Sequence, residues 1–331
     1  MIEKLDEIKA VLGPGAVLVA THLNPDGDAL GSVAGICRVM EMTGADVRVY
    51  LPTGRPHLLS WLDLPWPVVS SLGELGDWTP RLLVTLDCGD NNRAGSELYE
   101  YFVNDRLPSA EWSNTRILNI DHHVSNPGYG HINWIEAAMS STGEMVGHLA
   151  EHLGYELSGE LGEAIYLAIV SDTGNFSFAN TSASCVAMAA RIVGNGLDLP
   201  AFTNKYENNW SLARMHLWGR LMAEILLHFD GRVASCIVTQ SILLEYGASG
   251  EDLEGLASML RRIKGVKAAL FIREKPDGSS KASLRSMEEV DVGAAAAAFG
   301  GGGHRSAAGA ELAMSPEDAR SAVLEVLAKQ L

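Results

Sequence analysis

Three short apolar runs in the first part of the chain each break off into a cluster of acidic and imidazole side chains. Residues 16–20 (AVLVA) lead into His22-Leu23-Asn24-Pro25-Asp26-Gly27-Asp28. Residues 82–86 (LLVTL) lead into Asp87-Cys88-Gly89-Asp90, and residues 116–120 (RILNI) into Asp121-His122-His123. Short runs that are apolar throughout, or nearly so, suit strands buried on both faces of a parallel sheet. Residues 29–43 have helical character and residues 46–51 read as another strand, so the first run opens a βαβ unit. In an open sheet of this kind, functional side chains collect beyond the carboxyl ends of the strands.

From residue 140 onward the pattern turns helical. Residues 141–153, 161–172, 182–194 and 213–228 carry apolar residues at three- and four-residue spacing. A second cycle starts near Gly231, with a strand over 232–238 and a helix over 251–263. Residues 266–273 and 281–285 form a hairpin around Pro276-Asp277-Gly278, and an Ala-rich helix over 292–299 ends in a run of four glycines. The last helix opens with Ser315 as N-cap and Pro316 at its first position. The expected fold is α/β: an N-terminal parallel-sheet domain with helices on both faces (1–195), a connecting helical linker (196–230) and a smaller C-terminal α/β domain (231–331).

A length of 331 residues suits two domains. The net charge of −16 is the wrong sign for gripping long duplex nucleic acid through its phosphates. A small phosphorylated substrate is still compatible with it if metal ions and a few cations supply the local positive field. The four cysteines are scattered and read as reduced buried thiols. No apolar run approaches the roughly 18–20 residues that span a bilayer, and the first residues form an acidic amphipathic helix, not a signal peptide. The expected location is cytoplasmic, with no membrane partner. A homodimer is compatible with the chain, although no coiled-coil seam marks one.

Each polar cluster is weak evidence alone. A DxD is usually a solvated loop, Asp28 would serve as a helix cap, Asp87 would end a turn, and an isolated His-His pair is usually surface. Asp172, in Val170-Ser171-Asp172-Thr173-Gly174, closes an apolar helix at the end where the helix dipole disfavours a carboxylate, which tilts it toward a cation ligand. The conjunction is stronger: His22, Asp26, Asp28, Asp87, His122 and Asp172 follow successive apolar elements. Mixed carboxylate and imidazole donors suit Mn²⁺ or Mg²⁺. Two such ions about 3.5–4 Å apart can clamp a phosphoryl group and activate water.

The motifs resemble those of the DHH phosphoesterase superfamily: HLNPDGDALGS, LDCGDNNR, IDHH and VSDTGNF, in that order. GGGGHRSAAG at 300–309 is similar to the signature of the DHH-associated type 1 domain. The nearest likeness is to the bacterial subgroup that degrades very short RNAs and removes the 3′-phosphate of 3′-phosphoadenosine 5′-phosphate (pAp). The resemblance implies a two-metal hydrolase, Mn²⁺ preferred with Mg²⁺ or Co²⁺ as substitutes. His22 and Asp26 would bind one ion, Asp28 and Asp87 would lie between the two, and His122 and Asp172 would complete the second. Asp121 would orient a histidine ring, and His123 would steady the scissile phosphate or protonate the leaving oxygen. The substrate would be short RNA or a nucleotide, contacted by Arg285, Gly301, Gly302, Gly303, His304 and Arg305. Glycines without Cβ atoms let backbone amides approach an anion closely. Inorganic pyrophosphate or polyphosphate, and linear dinucleotides such as pGpG and pApA, are the alternative substrates. His148 and His152, four apart on a helix, lack the HExxH pattern and read as surface residues. The scattered tryptophans read as packing.

Overall fold

In the computed structural model, which describes residues 2–104, 110–287 and 289–331, the three apolar runs become neighbouring parallel strands. The chain divides into two units, Met1–Asn208 and Asn209–Leu331. The division falls inside the segment read from sequence as a linker.

The first unit contains, in order, α1 (Ile2–Lys9), β1 (Gly15–Ala20), α2 (Gly27–Met42), β2 (Ala45–Tyr50), β3 (Val68–Val69), β4 (Leu82–Leu86), α3 (Ser96–Asn104), β5 (Arg116–Asp121) and β6 (Ile132–Ile135). Four helices follow: α4 (Thr142–His152), α5 (Gly159–Asp172), α6 (Ala183–Gly194) and α7 (Leu199–Tyr206). All six strands are parallel and their spatial order is β3-β2-β1-β4-β5-β6. Strand order reverses between β1 and β4, and such a switch point opens a crevice at the carboxyl ends.

The two faces of the sheet explain its unalternating sequence. Val17 and Val19 of β1 pack with α2, α4 and α5 on one side. Leu18 and Ala20 pack with Leu98 and Tyr101 of α3 on the other. Every residue of β4 is buried. Each fully buried Val or Leu contributes about 1.5–3 kcal/mol relative to exposure, so an apolar side chain is favoured at every position of such a strand.

The second unit runs α8 (Leu212–Ala223), β7 (Leu226–His228), β8 (Val233–Val238), α9 (Gln240–Tyr246), α10 (Leu256–Leu260), β9 (Ala268–Glu274), β10 (Ser280–Ser286), α11 (Val292–Ala297), β11 (Gly302–His304), β12 (Ala307–Leu312) and α12 (Pro316–Ala328). Its sheet order is β11-β12-β10-β9-β8-β7, antiparallel throughout except for the β8–β9 pair. One face is covered by α11 and α12 and the other by α8, α9 and α10. The α/β class and the parallel N-terminal sheet therefore agree with the sequence reading.

Local differences have local causes. The helix expected over 213–228 stops at Ala223, and Leu226–His228 turns back as an edge strand through Phe229, Asp230 and Gly231, all at positive φ. The helix expected over 251–263 is a short 3-10 turn at Glu251–Leu253 and then α10, separated by Gly255 at φ +87°. The glycine run is not wholly loop, because Gly302 and Gly303 pair with β12. Among the described residues, no helix is long and apolar enough to cross a membrane.

Candidate metal centre

Eight of the side chains singled out from sequence lie in the first unit: His22 and Asp26 after β1, Asp28 in the first turn of α2, and Asp87 after β4. Asp121, His122 and His123 end or follow β5, and Asp172 ends α5. Six of them meet around the imidazoles of His22 and His122. His22 Nε2 is 3.5 Å from Asp87 Oδ2 and 4.0 Å from Asp26 Oδ1. His122 Nε2 is 3.6 Å from Asp87 Oδ1, 3.7 Å from Asp28 Oδ2 and 3.7 Å from Asp172 Oδ2. The two oxygens of Asp87 thus face two different histidines. His22, Asp26 and Asp87 form one set of donor atoms close enough for a metal, and Asp28, Asp87 and His122 form another.

The histidine tautomers follow from the backbone. His22 Nδ1 is 2.9 Å from the Leu23 carbonyl and His122 Nδ1 is 3.3 Å from the Met139 carbonyl. A carbonyl only accepts, so Nδ1 carries the proton in each ring and Nε2 presents a lone pair toward the carboxylates. His22 Nε2 is buried without a hydrogen-bond partner. A lone pair facing carboxylate oxygens across about 3.5 Å is unfavourable unless a cation lies between them. The donor set therefore fits a divalent ion.

Asp28 is held from three sides. Thr142 N–H donates to Oδ2 at 2.9 Å, Gly143 N–H to Oδ1 at 2.9 Å, and the Ser32 hydroxyl to Oδ1 at 3.1 Å. These amides open α4, whose N-cap is Ser141, so the carboxylate also sits at the favourable end of a helix dipole. Close approach of α4 depends on Gly143: a Cβ there would lie 2.1 Å from the Ala168 Cβ. The cap of α2 is Asp26, which accepts from Ala29 N–H at 3.1 Å, and not Asp28.

Burial first, then the charges of Asp87, Asp172 and Asp26, hold the Asp28 carboxyl well above the usual range. Burial also pushes Asp172 up to about 6, with His122 opposing and Asp87 and Asp26 adding to the rise. Burial would raise Asp87 too, but in the metal-free protein a second proton on the rings of His22, His123 and His122 outweighs it and holds that carboxyl low. Asp87 has φ +58°, a left-handed conformation that Asp tolerates at a cost of about 1 kcal/mol. Its backbone N–H reaches the Ile120 carbonyl, and Thr142 Oγ1 donates to its Oδ1 at 3.1 Å.

His123 stands beside this group. Its Nδ1 is 2.8 Å from Asp121 Oδ1 and 3.5 Å from Asp87 Oδ1, and Asp121 is fully buried. Burial would lower the His123 pKa, but the hydrogen bond to Asp121 and the charges of Asp87 and Asp121 raise it to about 9.

The remaining predicted residues belong to the second unit. Arg285, on β10, lines a cleft of about 220 Å³ together with Arg273, Lys281, Ser283, Phe271 and Glu254. Gly302, Gly303 and His304 make up edge strand β11. Gly301 lies against β12 so closely that a Cβ would be 2.2 Å from the Gly309 carbonyl oxygen. Arg305 Nη1 pairs with Asp291 Oδ2 at 3.2 Å. His148 and His152 hydrogen-bond to Ser184 and Asp6. Several tryptophans pack as expected, with Trp66, Trp112, Trp134 and Trp218 buried.

The sequence reading missed several supports. Thr142 donates its backbone N–H to Asp28 and its hydroxyl to Asp87. Asn180 donates to Asp172 Oδ2 at 3.1 Å and to the Ser140 carbonyl at 2.8 Å. Asn126 donates to Asp121. Arg273 and Lys281 were not singled out, although alternation along two paired strands places them on the Arg285 face.

The first unit is a parallel sheet that gathers Asp and His donors, a set suited to divalent metal ions, at its switch point, and a smaller mixed-sheet unit follows it. Residues 16–169 match the DHH family, N-terminal domain, and residues 233–331 match the DHHA1 domain. The chain belongs to the DHH family of phosphoesterases. It is 31% identical to the bifunctional oligoribonuclease and PAP phosphatase NrnA of Thermus thermophilus, over 98% of this chain and 92% of that one. Identity to the protein of the same description from Bacillus subtilis is 27%, over 99% of each. Among solved structures, an exopolyphosphatase-related protein from Bacteroides fragilis superposes with a TM-score of 0.85 at 24% identity, covering 99% of this chain and 96% of that one, a likeness of fold.

Proposed function

We propose that this protein hydrolyses phosphoester bonds at the 3′ end of very short RNAs and of pAp, using two divalent ions, Mn²⁺ before Mg²⁺ or Co²⁺. The observation that carries the two-ion reading is the position of Asp87, whose two oxygens face His22 on one side and His122 on the other. His22 and Asp26 would hold one ion, Asp28, His122 and Asp172 the other, and Asp87 would be common to both. Bound there, such ions would supply a lowered pKa for water and neutralisation of charge on the phosphoryl oxygens.

The chain's own residues do the rest. Asp121 fixes the His123 ring through Nδ1, leaving Nε2 to steady the scissile phosphate or to protonate the departing oxygen. Arg285 and His304 would grip the substrate, with the backbone of Gly301, Gly302 and Gly303 lining its path. Arg305 contributes only if it gives up its pairing with Asp291. The similarity to two proteins described as oligoribonuclease and PAP phosphatase favours this substrate class.

The test is a substrate panel with purified full-length protein: pApA, pGpG, pAp and pyrophosphate, each with Mn²⁺ or Mg²⁺. Release of mononucleotides from the dinucleotides and of phosphate from pAp, fastest with Mn²⁺, is the expected result. Cleavage of pyrophosphate alone would overturn the reading.

A further inference from the structure

The amide of Asn126 stands at the junction of two motifs. It lies in the turn after His123, its N–H bonded to the His123 carbonyl at 3.2 Å, and its side chain is buried. Its Nδ2 is 2.6 Å from Asp121 Oδ2 and 3.1 Å from the Cys88 carbonyl, one residue beyond Asp87. Its Oδ1 accepts from Gly128 N–H at 2.9 Å and from Asn119 Nδ2 at 3.0 Å. The Gly128 N–H settles the orientation of the amide, since only oxygen can face that donor, so the NH₂ group faces Asp121.

Asp121 therefore has its two oxygens in opposite grips, Oδ2 by Asn126 and Oδ1 by His123. A carboxylate held on one side only would be free to rotate about its last bond, and the His123 ring would rotate with it. The base of that ring is also closely packed: a Cβ on Gly89 would lie 2.9 Å from His123 Cβ and Cγ. Asn119 is itself pinned to Asn133, 3.1 Å from its Oδ1, so the amides form a rigid chain leading away from the site.

We propose that Asn126 is a positioning residue that fixes the plane of the Asp121 carboxylate and, through it, the ring of His123. This rests on the role given to His123 above. Asn126 touches neither of the two donor sets proposed for the metals.

The experiment is a double-mutant cycle in the full-length protein, with pApA and Mn²⁺. Asn126→Ala is expected to lower kcat by about 10–100-fold, the range for removing a partner that orients an active-site group, with KM and Mn²⁺ affinity unchanged. In a His123→Ala background the same substitution should cost nothing further, because the group it orients is gone. Multiplicative losses in the double variant would overturn the proposal, since a residue that merely supports the fold acts independently of His123. A His123→Ala enzyme with wild-type kcat would instead sink the role assigned to His123, a separately visible failure. Should Asn126→Ala melt below the assay temperature, Asn119→Ser tests the same chain of amides. It should give a smaller kcat loss that likewise vanishes in the His123→Ala background, and persistence of that loss would count against the proposal.

Discussion

The backbone N–H of Thr142 donates to the carboxylate of Asp28 at 2.9 Å, joining residues 114 positions apart. With the neighbouring Gly143 N–H it makes the start of α4 the cradle of a buried acid.

Gly143→Ala should break that cradle. The added methyl meets Ala168, and overpacking of this kind costs about 1–3 kcal/mol. The variant should melt lower and bind Mn²⁺ more weakly, whereas Gly194→Ala, with open space around it, should keep both properties. Calorimetric melting with and without Mn²⁺ distinguishes them, and a Gly143→Ala protein indistinguishable from wild type would refute the cradle.

Asp87→Asn should abolish turnover while leaving a folded protein. If Asp87 serves both ions, the loss in kcat exceeds the roughly 10–100-fold typical of an outer-shell partner. The thermal shift produced by Mn²⁺ should vanish as well. Asp90→Asn, an exposed change at the cap of a 3-10 turn, should retain near wild-type activity in the same assay.

Asp172 gives a pH signature in the metal-free protein. Its folded pKa of about 6 lies above the unfolded value of about 3.9, so ionising it costs stability. This contribution is absent below about pH 4, grows as pH rises, and is complete above about 6. Metal-free Asp172→Asn should therefore melt above metal-free wild type at pH 7 and level with it at pH 4. Mn²⁺ should reverse the order at pH 7 by stabilising only the wild type. Equal melting of the two metal-free proteins at pH 7 would contradict the assignment.

Arg285→Ala separates substrate grip from chemistry. Losing a charge-assisted contact costs about 1.5–3 kcal/mol, roughly tenfold or more in kcat/KM on pApA. The Mn²⁺-induced thermal shift should be unaffected, because Arg285 belongs to the second unit. A loss of that shift would place Arg285 outside the role given to it.

What could be read in advance follows a physical divide. β1, β4 and β5 were legible because burial on both faces leaves a continuous apolar run, and the polar clusters were legible because they interrupt those runs. β3, with two residues, and β6, with Asn133 and Trp134 at its centre, have no such signature. Leu226 and Leu227 fit helical spacing, and only the left-handed turn at Phe229 and Asp230 makes them a strand. Asn126, Asn180 and Thr142 were missed as supports of the site for another reason. Their partners are set by how distant segments pack, and an amide or hydroxyl in a turn looks the same in sequence whether or not a carboxylate faces it.

The switch-point geometry has a consequence for biosynthesis. The donors run from His22 to Asp172, and none of the clusters holds a full set of them by itself. A chain emerging from the ribosome offers only scattered, weak chelators until α5 has docked on α2. Ion capture would then stabilise only molecules that have completed the first unit. The cation would act as a checkpoint on assembly, withholding hydrolytic power from half-made protein.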